Sequence, residues 1–283
     1  MTTISNMRNV SVAQIKLTRV YQGNLLFADD ELAVEEPLEI QLMYGNEGSR
    51  LKKNMAVTMR TPGNDAELAA GFLFTEGIIQ NNSQVVAVAS LPFETNKILI
   101  TLADGVLPKL EKTERNFYTT SSCGVCGKSG IDNIKTVSIY EPQEDAIRLR
   151  PEIFYTLHQA LRQRQDVFES TGGLHAAALF GLTGNFELLR EDVGRHNALD
   201  KIIGASFLND KLPLHDCILL LSGRASFELI QKAAMAGIKI IAAVGAPSSL
   251  AVQLAEEMQM TLIGFLKNER FNIYCGRERI LVG

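Results

Sequence analysis

The last third of the chain alternates short apolar runs with stretches of helical periodicity. The apolar runs lie at residues 217–221, 238–244 and 260–266, and helices are predicted to begin near Ser226 and Ser248 between them. Apolar strands that alternate with helices are typical of a wound α/β sheet whose inner strands are parallel. The pattern therefore predicts an α/β fold for this part of the chain.

From about residue 10 to residue 44 the chain instead alternates short apolar runs with charged turns, which predicts antiparallel strands that include residues 14–20 and 38–44. Further strands are predicted at residues 55–60, 85–91 and 97–102, the last two as a hairpin. One capped helix is predicted from Asn64 to Gly77, and another at residues 152–166 after Pro151. We therefore expect a β-rich part at residues 1–145 and an α/β part at residues 146–283.

Residues 109–130 break both patterns. A charged run leads into small and polar residues and then into Cys123-Gly-Val-Cys126. Such a composition, without periodicity, predicts an exposed and mobile loop.

Composition narrows the class of protein. Of the 283 residues, 46% are hydrophobic, so the chain can bury a large core. With 28 basic and 32 acidic residues, the net charge is −4, and no basic stripe favours nucleic acid. We find neither a membrane-spanning run nor a signal peptide, and we expect a cytoplasmic protein. Four cysteines are too few for a disulfide framework.

The Cys123–Cys126 pair has four possible roles: zinc binding, redox cycling, persulfide transfer, or none. Zinc requires further ligands, yet no second CxxC exists, and the histidines show no close ligand spacing. A redox pair normally opens a helix directly after a strand, which the pattern here does not predict. Flanking glycines give the thiols access to both a sulfur donor and an acceptor.

Polar residues follow the predicted strands of the α/β part. Ser222 and Arg224 lie in a turn at a carboxyl strand end, where anions bind in open sheets, although both residues are also typical of a simple turn. The run at residues 191–200 precedes an amphipathic helix predicted to begin near Asn197. Arg195 and His196 could contact a phosphate there, with Asp192 as a cap or an orienting group; the alternative is a plain capped helix with solvated charges.

His175 lies among small residues, after Gly172 and Gly173. Glycines allow a ligand to approach closely, but a lone histidine beside alanines is also typical of a satisfied core residue. Zinc deaminases carry a glutamate two residues after such a histidine. Position 177 is alanine here, so the deaminase proton shuttle is missing.

Together these stretches resemble the FdhD family of formate dehydrogenase accessory sulfurtransferases. The similarity covers residues 35–275, and the motifs occur in the family's order. They are Ala69-Ala-Gly-Phe-Leu-Phe-Thr-Glu-Gly, Cys123-Gly-Val-Cys-Gly, Gly173-Leu-His-Ala-Ala-Ala, Glu191-Asp-Val-Gly-Arg-His-Asn-Ala, Ser222-Gly-Arg-Ala-Ser-Phe-Glu and Gly264-Phe-Leu-Lys.

The resemblance implies a cytidine-deaminase-like three-layer core without deaminase activity, an additional N-terminal β-rich subdomain, and a homodimer. It also implies that Cys123 carries a persulfide received from a cysteine desulfurase, with Cys126 as helper. The sulfur then passes to the molybdenum of the bis-molybdopterin guanine dinucleotide cofactor, destined for formate dehydrogenase.

The cofactor-binding residues expected on this basis fall into two groups. The first matches a family stretch, in which the common Pro-Gly pair is Asn268-Glu269 here: Phe265, Leu266, Lys267, Asn268, Glu269 and Arg270. The second is His175, Arg195, His196, Ser222 and Arg224. No permanent metal is expected. Two rivals stay open: a cofactor chaperone without a covalent sulfur step, and a zinc-dependent hydrolase.

Overall fold

A computed structural model describes residues 11–91, 93–110, 140 and 145–281. In chain order, these residues form β1 (Val12–Tyr21), β2 (Asn24–Ala33), β3 (Glu36–Tyr44), β4 (Leu51–Arg60), α1 (Asp65–Thr75), β5 (Val85–Leu91), β6 (Glu94–Leu102), α2 (Pro151–Arg162), α3 (Asp166–Thr171), β7 (His175–Gly181), β8 (Phe186–Asp192), α4 (Arg195–Leu208), β9 (Cys217–Leu221), α5 (Phe227–Met235), β10 (Ile240–Ala243), α6 (Ser249–Glu257), β11 (Thr261–Lys267) and β12 (Arg270–Cys275). Cys123, Cys126 and most of the predicted loop at residues 109–130 lie outside the described residues.

The larger sheet has six strands in the order β12-β11-β10-β9-β7-β8. The strands β9, β10 and β11 are parallel, whereas β7 and β12 run antiparallel to their neighbours in that group. Parallel neighbours need a crossover connection, which α5 and α6 supply. The carboxyl ends of β9, β10 and β11 therefore meet at one side of the sheet, called the carboxyl edge below.

Alternate residues of this sheet face two different cores. Along β9, Leu219 and Leu221 belong to the core that contains α4, α5 and α6. Ile218 and Leu220 belong to the opposite core, with Phe154 of α2. Helices on both faces explain why the central strands are apolar throughout. The six-stranded part is thus a three-layer α/β/α arrangement.

Helix α1 joins the N-terminal residues to this arrangement by packing on α4. The two helices touch through glycines: a Cβ on Gly71 would overlap the carbonyl oxygen of Asp200, and one on Gly204 that of Glu67. A four-stranded sheet, β4-β3-β6-β5, adds its apolar side chains to the same core. One core therefore contains residues from both sides of position 145, and the division into two parts there stays a prediction.

The hairpin formed by β1 and β2 is a separate two-stranded sheet. Near its base, Ala33 lies beside Gly173: a Cβ added to Gly173 would be 3.5 Å from the Cβ of Ala33. Most of the remaining hairpin side chains are exposed.

The structure confirms the mixed α/β prediction and the five predicted strands of the N-terminal part. The prediction of antiparallel pairing was wrong at one place, because β3 pairs in parallel with β6. Three details of the predicted helices were wrong. The helix predicted at residues 152–166 ends at Arg162, and the Asn64 side chain makes no capping hydrogen bond. The helix after residues 191–194 is not amphipathic: residues 196–207 are all buried, because α4 lies between the sheet and α1. None of the described helices is long and apolar enough to cross a membrane.

Candidate functional site

Backbone hydrogen bonds join two loops and the last part of β11 at the carboxyl edge. The amide of Gly245 donates to the carbonyl of Gly223 (3.0 Å), and the amide of Phe265 in β11 donates to the carbonyl of Gly245 (3.1 Å). A Cβ on Gly264 would lie 2.8 Å from Cδ of Pro247, so this position needs glycine. The loops after β9 and β10 and the last part of β11 thus form one continuous surface.

His175 reaches the same surface because β7 runs antiparallel to β9. Ala177 pairs with Leu221, which places His175, two residues earlier, level with Gly223. A Cβ on Gly223 would be 3.3 Å from Nδ1 of His175. The glycine therefore leaves one side of the imidazole uncovered.

Ser222 and Arg224 take different roles in the loop after β9. The Ser222 amide donates to the carbonyl of Ala176 (3.0 Å), and its hydroxyl accepts from the amide of Ala176 (2.8 Å). Ser222 therefore extends the pairing of β9 with β7. Arg224 is exposed, so its guanidinium is available to a ligand.

A buried carboxylate shapes the turn before α4. Asp192 is fully buried and lies 2.7 Å from Nζ of Lys201. It accepts hydrogen bonds from the amide of Gly194 (2.8 Å), from Nδ2 of Asn197 (3.0 Å) and from the amide of Thr61 (3.2 Å). The alternative of a plain helix with solvated charges was wrong, because these groups are enclosed between α4 and the end of β4.

Arg195 follows this turn and lies beside His175. Its side chain is half-buried, and its Nε has no hydrogen-bond partner among the described residues. Burial lowers the pKa of His175, and the charges of Arg195 and His196 lower it further. The His175 imidazole is therefore neutral at pH 7, and Arg195 supplies a fixed positive charge with a free donor.

His196 links the starts of two helices. Its Nε2 lies 3.0 Å from a carboxylate oxygen of Glu228 and 3.3 Å from the hydroxyl of Ser226. Because His196 is 5% exposed, most of its ring is unavailable to a ligand. The geometry gives it a role in holding α4 against α5.

The stretch at residues 265–270 forms the end of β11 and the turn into β12. Phe265 has a left-handed backbone (φ 52°) and is 43% exposed, a strained position for an aromatic residue. Leu266 is fully buried in the core beneath α2, so only its backbone lies at the edge. The other four are exposed: Lys267, Asn268, Glu269 and Arg270.

The carboxyl edge therefore brings His175, Arg195, Arg224 and the stretch at residues 265–270 to one side of the sheet. From β7 to β11 it spans three strand intervals, about 14 Å. Helices α4, α5 and α6 begin at this edge, and their N-termini add partial positive charge. An extended anionic ligand suits this arrangement.

A cleft of about 720 Å³ lies at the opposite edge of the sheet. Its lining includes Asp145, Arg148, Cys275 and Arg277 and contains none of the predicted site residues. Separately, no group of three His, Cys, Asp or Glu side chains suited to a metal ion occurs within the described ranges.

Sequence reasoning missed the partners that fix the site. Lys201 and Thr61 hold Asp192, and Glu228 holds His196. Lys201 lies nine residues after Asp192, and Glu228 belongs to the motif that begins at Ser222. Only Thr61, from the N-terminal part of the chain, gave no local signal.

The chain is similar to known proteins over most of its length. The sequence model of the FdhD/NarQ family matches residues 33–281. The chain is 47% identical over 273 residues to the "Sulfur carrier protein FdhD" of Mycolicibacterium paratuberculosis, covering 94% of this chain and 97% of that protein. For the protein of the same name from Sulfolobus acidocaldarius, identity is 42% over 271 residues, covering 96% of this chain and 99% of that protein.

A solved structure has the same fold. It is a crystal structure from Desulfotalea psychrophila, provisionally described as a formate dehydrogenase accessory protein. It matches with a TM-score of 0.72 and 24% identity, covering 95% of this chain and 99% of that one.

Proposed function

The chain belongs to the FdhD/NarQ family, and on that premise we propose that it is a sulfur carrier needed for formate dehydrogenase activity. In this proposal Cys123 accepts persulfide sulfur from a cysteine desulfurase, with Cys126 as helper. The acceptor is the molybdenum of the bis-molybdopterin guanine dinucleotide cofactor, which is the substrate. The relatives' shared name, sulfur carrier, supports the proposal.

The proposed transfer has two steps. The Cys123 thiolate attacks the outer sulfur of the donor persulfide, the donor's S–S bond breaks, and the donor cysteine leaves as a thiolate. The outer sulfur of the resulting Cys123 persulfide then bonds to molybdenum, and the S–S bond of that persulfide breaks. Cys123 leaves as a thiolate, and the transferred sulfur becomes a sulfido ligand by taking two electrons from the metal centre.

The observation that best supports the cofactor part is the convergence of cationic residues at the carboxyl edge. The Nε of Arg195 has no hydrogen-bond partner in the part of the chain that the structure describes, and Arg224, Lys267 and Arg270 are exposed. Guanidinium groups pair well with phosphate oxygens, so these residues suit the two pyrophosphates of the cofactor. The exposed ring of Phe265 suits stacking on a flat base. His196 and Ser222 support this surface from below.

Three further parts of the proposal follow from the family resemblance. We propose a cytoplasmic homodimer, and a cytidine-deaminase-like core for the six-stranded part. Helices on both faces of the mixed sheet support the three-layer description of that core.

The test is intact-protein mass spectrometry after incubation with a cysteine desulfurase and cysteine, followed by peptide mapping. We expect a reducible gain of about 32 Da per sulfur atom on Cys123, which is lost in Cys123→Ala. Cys217→Ala is the matched control. Burial and, after it, the nearby Glu187 together raise the pKa of the Cys217 thiol to about 12, so this cysteine is not a thiolate at pH 7.

If Cys123→Ala still gains sulfur, Cys126 or another residue carries it instead of Cys123. If neither cysteine gains sulfur, the chain is not a covalent carrier, and the cofactor chaperone becomes the better account. Cofactor binding that survives in Cys123→Ala would show that binding and transfer are separate functions of the chain.

A further inference from the structure

The hairpin of β1 and β2 exposes large apolar side chains near its tip. Phe27 is 93% exposed, Leu25 is 71% exposed and Val20 is 67% exposed. Water-facing side chains of this size in one place mark an interaction surface more often than a free one. A two-stranded hairpin is also marginally stable alone, so contacts along its length would stabilise it.

These three residues lie on the same face of the hairpin. Val20 pairs with Leu25, and Phe27 pairs with Thr18 two positions further along. Side chains of directly paired residues point to one face, and the face repeats every second residue. The next pair on this face is Lys16 with Asp29. The face is therefore apolar toward the tip, then carries one cation and one anion side by side, and nearer the base continues with Gln14 paired with Glu31. We call it the hairpin face: Lys16, Thr18, Val20, Leu25, Phe27 and Asp29.

We propose that the hairpin face binds the hairpin face of a second copy of this chain, around a two-fold axis parallel to the strands. The proposal rests on the homodimer proposed above and goes beyond it by naming the surface. Such an axis places β1 of one copy opposite β2 of the other. Lys16 then faces Asp29 of the partner subunit, and Val20 faces Leu25 of the partner subunit.

Charge and shape favour a second copy over another partner. The hairpin face is self-complementary in charge, as an isologous interface requires, because the two-fold rotation places Lys16 of one copy opposite Asp29 of the partner subunit. A ten-residue strand is about 33 Å long, and two strands are about 10 Å wide. Two stacked hairpins would bury roughly 1,000 Å² in total, the lower end for specific interfaces. We therefore expect a dimer that dissociates on dilution.

Sedimentation equilibrium of the full chain over a range of concentrations tests the proposal. We expect a reversible dimer whose dissociation constant rises at least about tenfold in Phe27→Ser, as for truncated interface anchors. Leu250→Ser is the matched control, because Leu250 is 46% exposed on α6 and should leave dimerisation unchanged. Circular dichroism checks that each variant is folded.

A charge swap makes the test specific for a second copy. Lys16→Asp and Asp29→Lys should each weaken the dimer, since each places like charges opposite one another. The double variant, with both changes, should recover the affinity. If none of these variants changes the dissociation constant, the dimer uses another surface and the inference is overturned. It is also overturned if the wild-type chain stays monomeric, or if its hairpin binds a different protein instead. Sulfur loading of Cys123, measured on the same variants, separates this failure from failure of the sulfur-carrier proposal.

Discussion

Arg195 combines a fixed backbone position with an Nε that has no hydrogen-bond partner among the described residues. The turn before it is held by Asp192, whose two carboxylate oxygens are both occupied. A fixed backbone at this position lowers the entropy that the residue loses when it binds an anion. Among the residues proposed to bind the cofactor, Arg195 is therefore the one whose replacement is most informative.

Replacing Arg195 by alanine should raise the dissociation constant for the molybdopterin guanine dinucleotide cofactor, or for GDP, about tenfold or more, because a charge-assisted contact is lost. The same change should raise the pKa of His175, since the Arg195 charge lowers it now. Calorimetry measures the binding, and NMR titration of the histidine measures the pKa. Arg148→Ala, at the opposite edge, should change neither. An unaltered His175 titration in Arg195→Ala would contradict the described geometry.

The ion pairs of Asp145 make the stability of the fold depend on pH. Burial alone would raise its pKa, but hydrogen bonds from Arg279 and Lys239 and from the Ile147 amide hold the pKa well below its usual value. A carboxyl group with a lowered folded-state pKa stabilises the fold above its unfolded pKa of about 4, and this contribution is lost as the pH falls toward the folded value.

Asp145→Asn should therefore lower the free energy of unfolding at pH 7 by about 2–3 kcal/mol, because Arg279 and Lys239 lose their shared partner. The deficit should shrink below about pH 4, where the Asp145 carboxyl of the unfolded wild-type chain takes up a proton while that of the folded protein is still charged. Urea unfolding of both proteins at several pH values measures this. A deficit that is the same at pH 7 and at pH 3 would contradict it.

The contact between α1 and α4 depends on glycine at both faces. The carbonyl groups of Glu67 and Asp200 occupy the space that a side chain on Gly204 or Gly71 would need. Two helices can approach this closely only where no Cβ intervenes. The Ala69-Ala-Gly-Phe segment thus has a packing role, in addition to carrying the family resemblance.

Gly71→Ala and Gly204→Ala should each destabilise the fold by about 3 kcal/mol or more, because backbone atoms cannot move aside without separating the helices. Thermal or urea unfolding measures the loss. Gly173→Ala is the matched control: its Cβ would be 3.5 Å from the Cβ of Ala33, an ordinary contact. Equal effects at all three glycines would contradict the close helix contact.

At the scale of the whole molecule, one core joins the four-stranded sheet, α1 and the six-stranded sheet. Elements that share a core lose their contacts together, so we expect a single cooperative unfolding transition. Far-ultraviolet circular dichroism and fluorescence of the six tyrosines should give coincident urea curves. Two separate transitions would instead indicate that residues 1–145 and 146–283 fold as independent domains.

Much of the six-stranded sheet could be predicted from the sequence. Continuous apolar runs such as Cys217–Leu221 identify strands buried on both faces, and the helical stretches between them require parallel neighbours. Helix α4 was harder to predict, because it is buried on all sides and carries its polar groups inside. Local periodicity does not distinguish a buried Asp–Lys pair from two solvated charges, so the prediction of an amphipathic helix after residues 191–194 was wrong.

The sequence by itself determined the α/β alternation, the spacing of the Cys123–Cys126 pair and the family. These depend on local periodicity and on ordered motifs, which are present in the chain before it folds. Only the tertiary structure decided that Thr61 holds the turn before Arg195, that Gly71 meets Gly204, and that β7 brings His175 to Gly223. Such contacts join residues far apart in the chain, and they depend on strand order and helix packing, which no local pattern encodes.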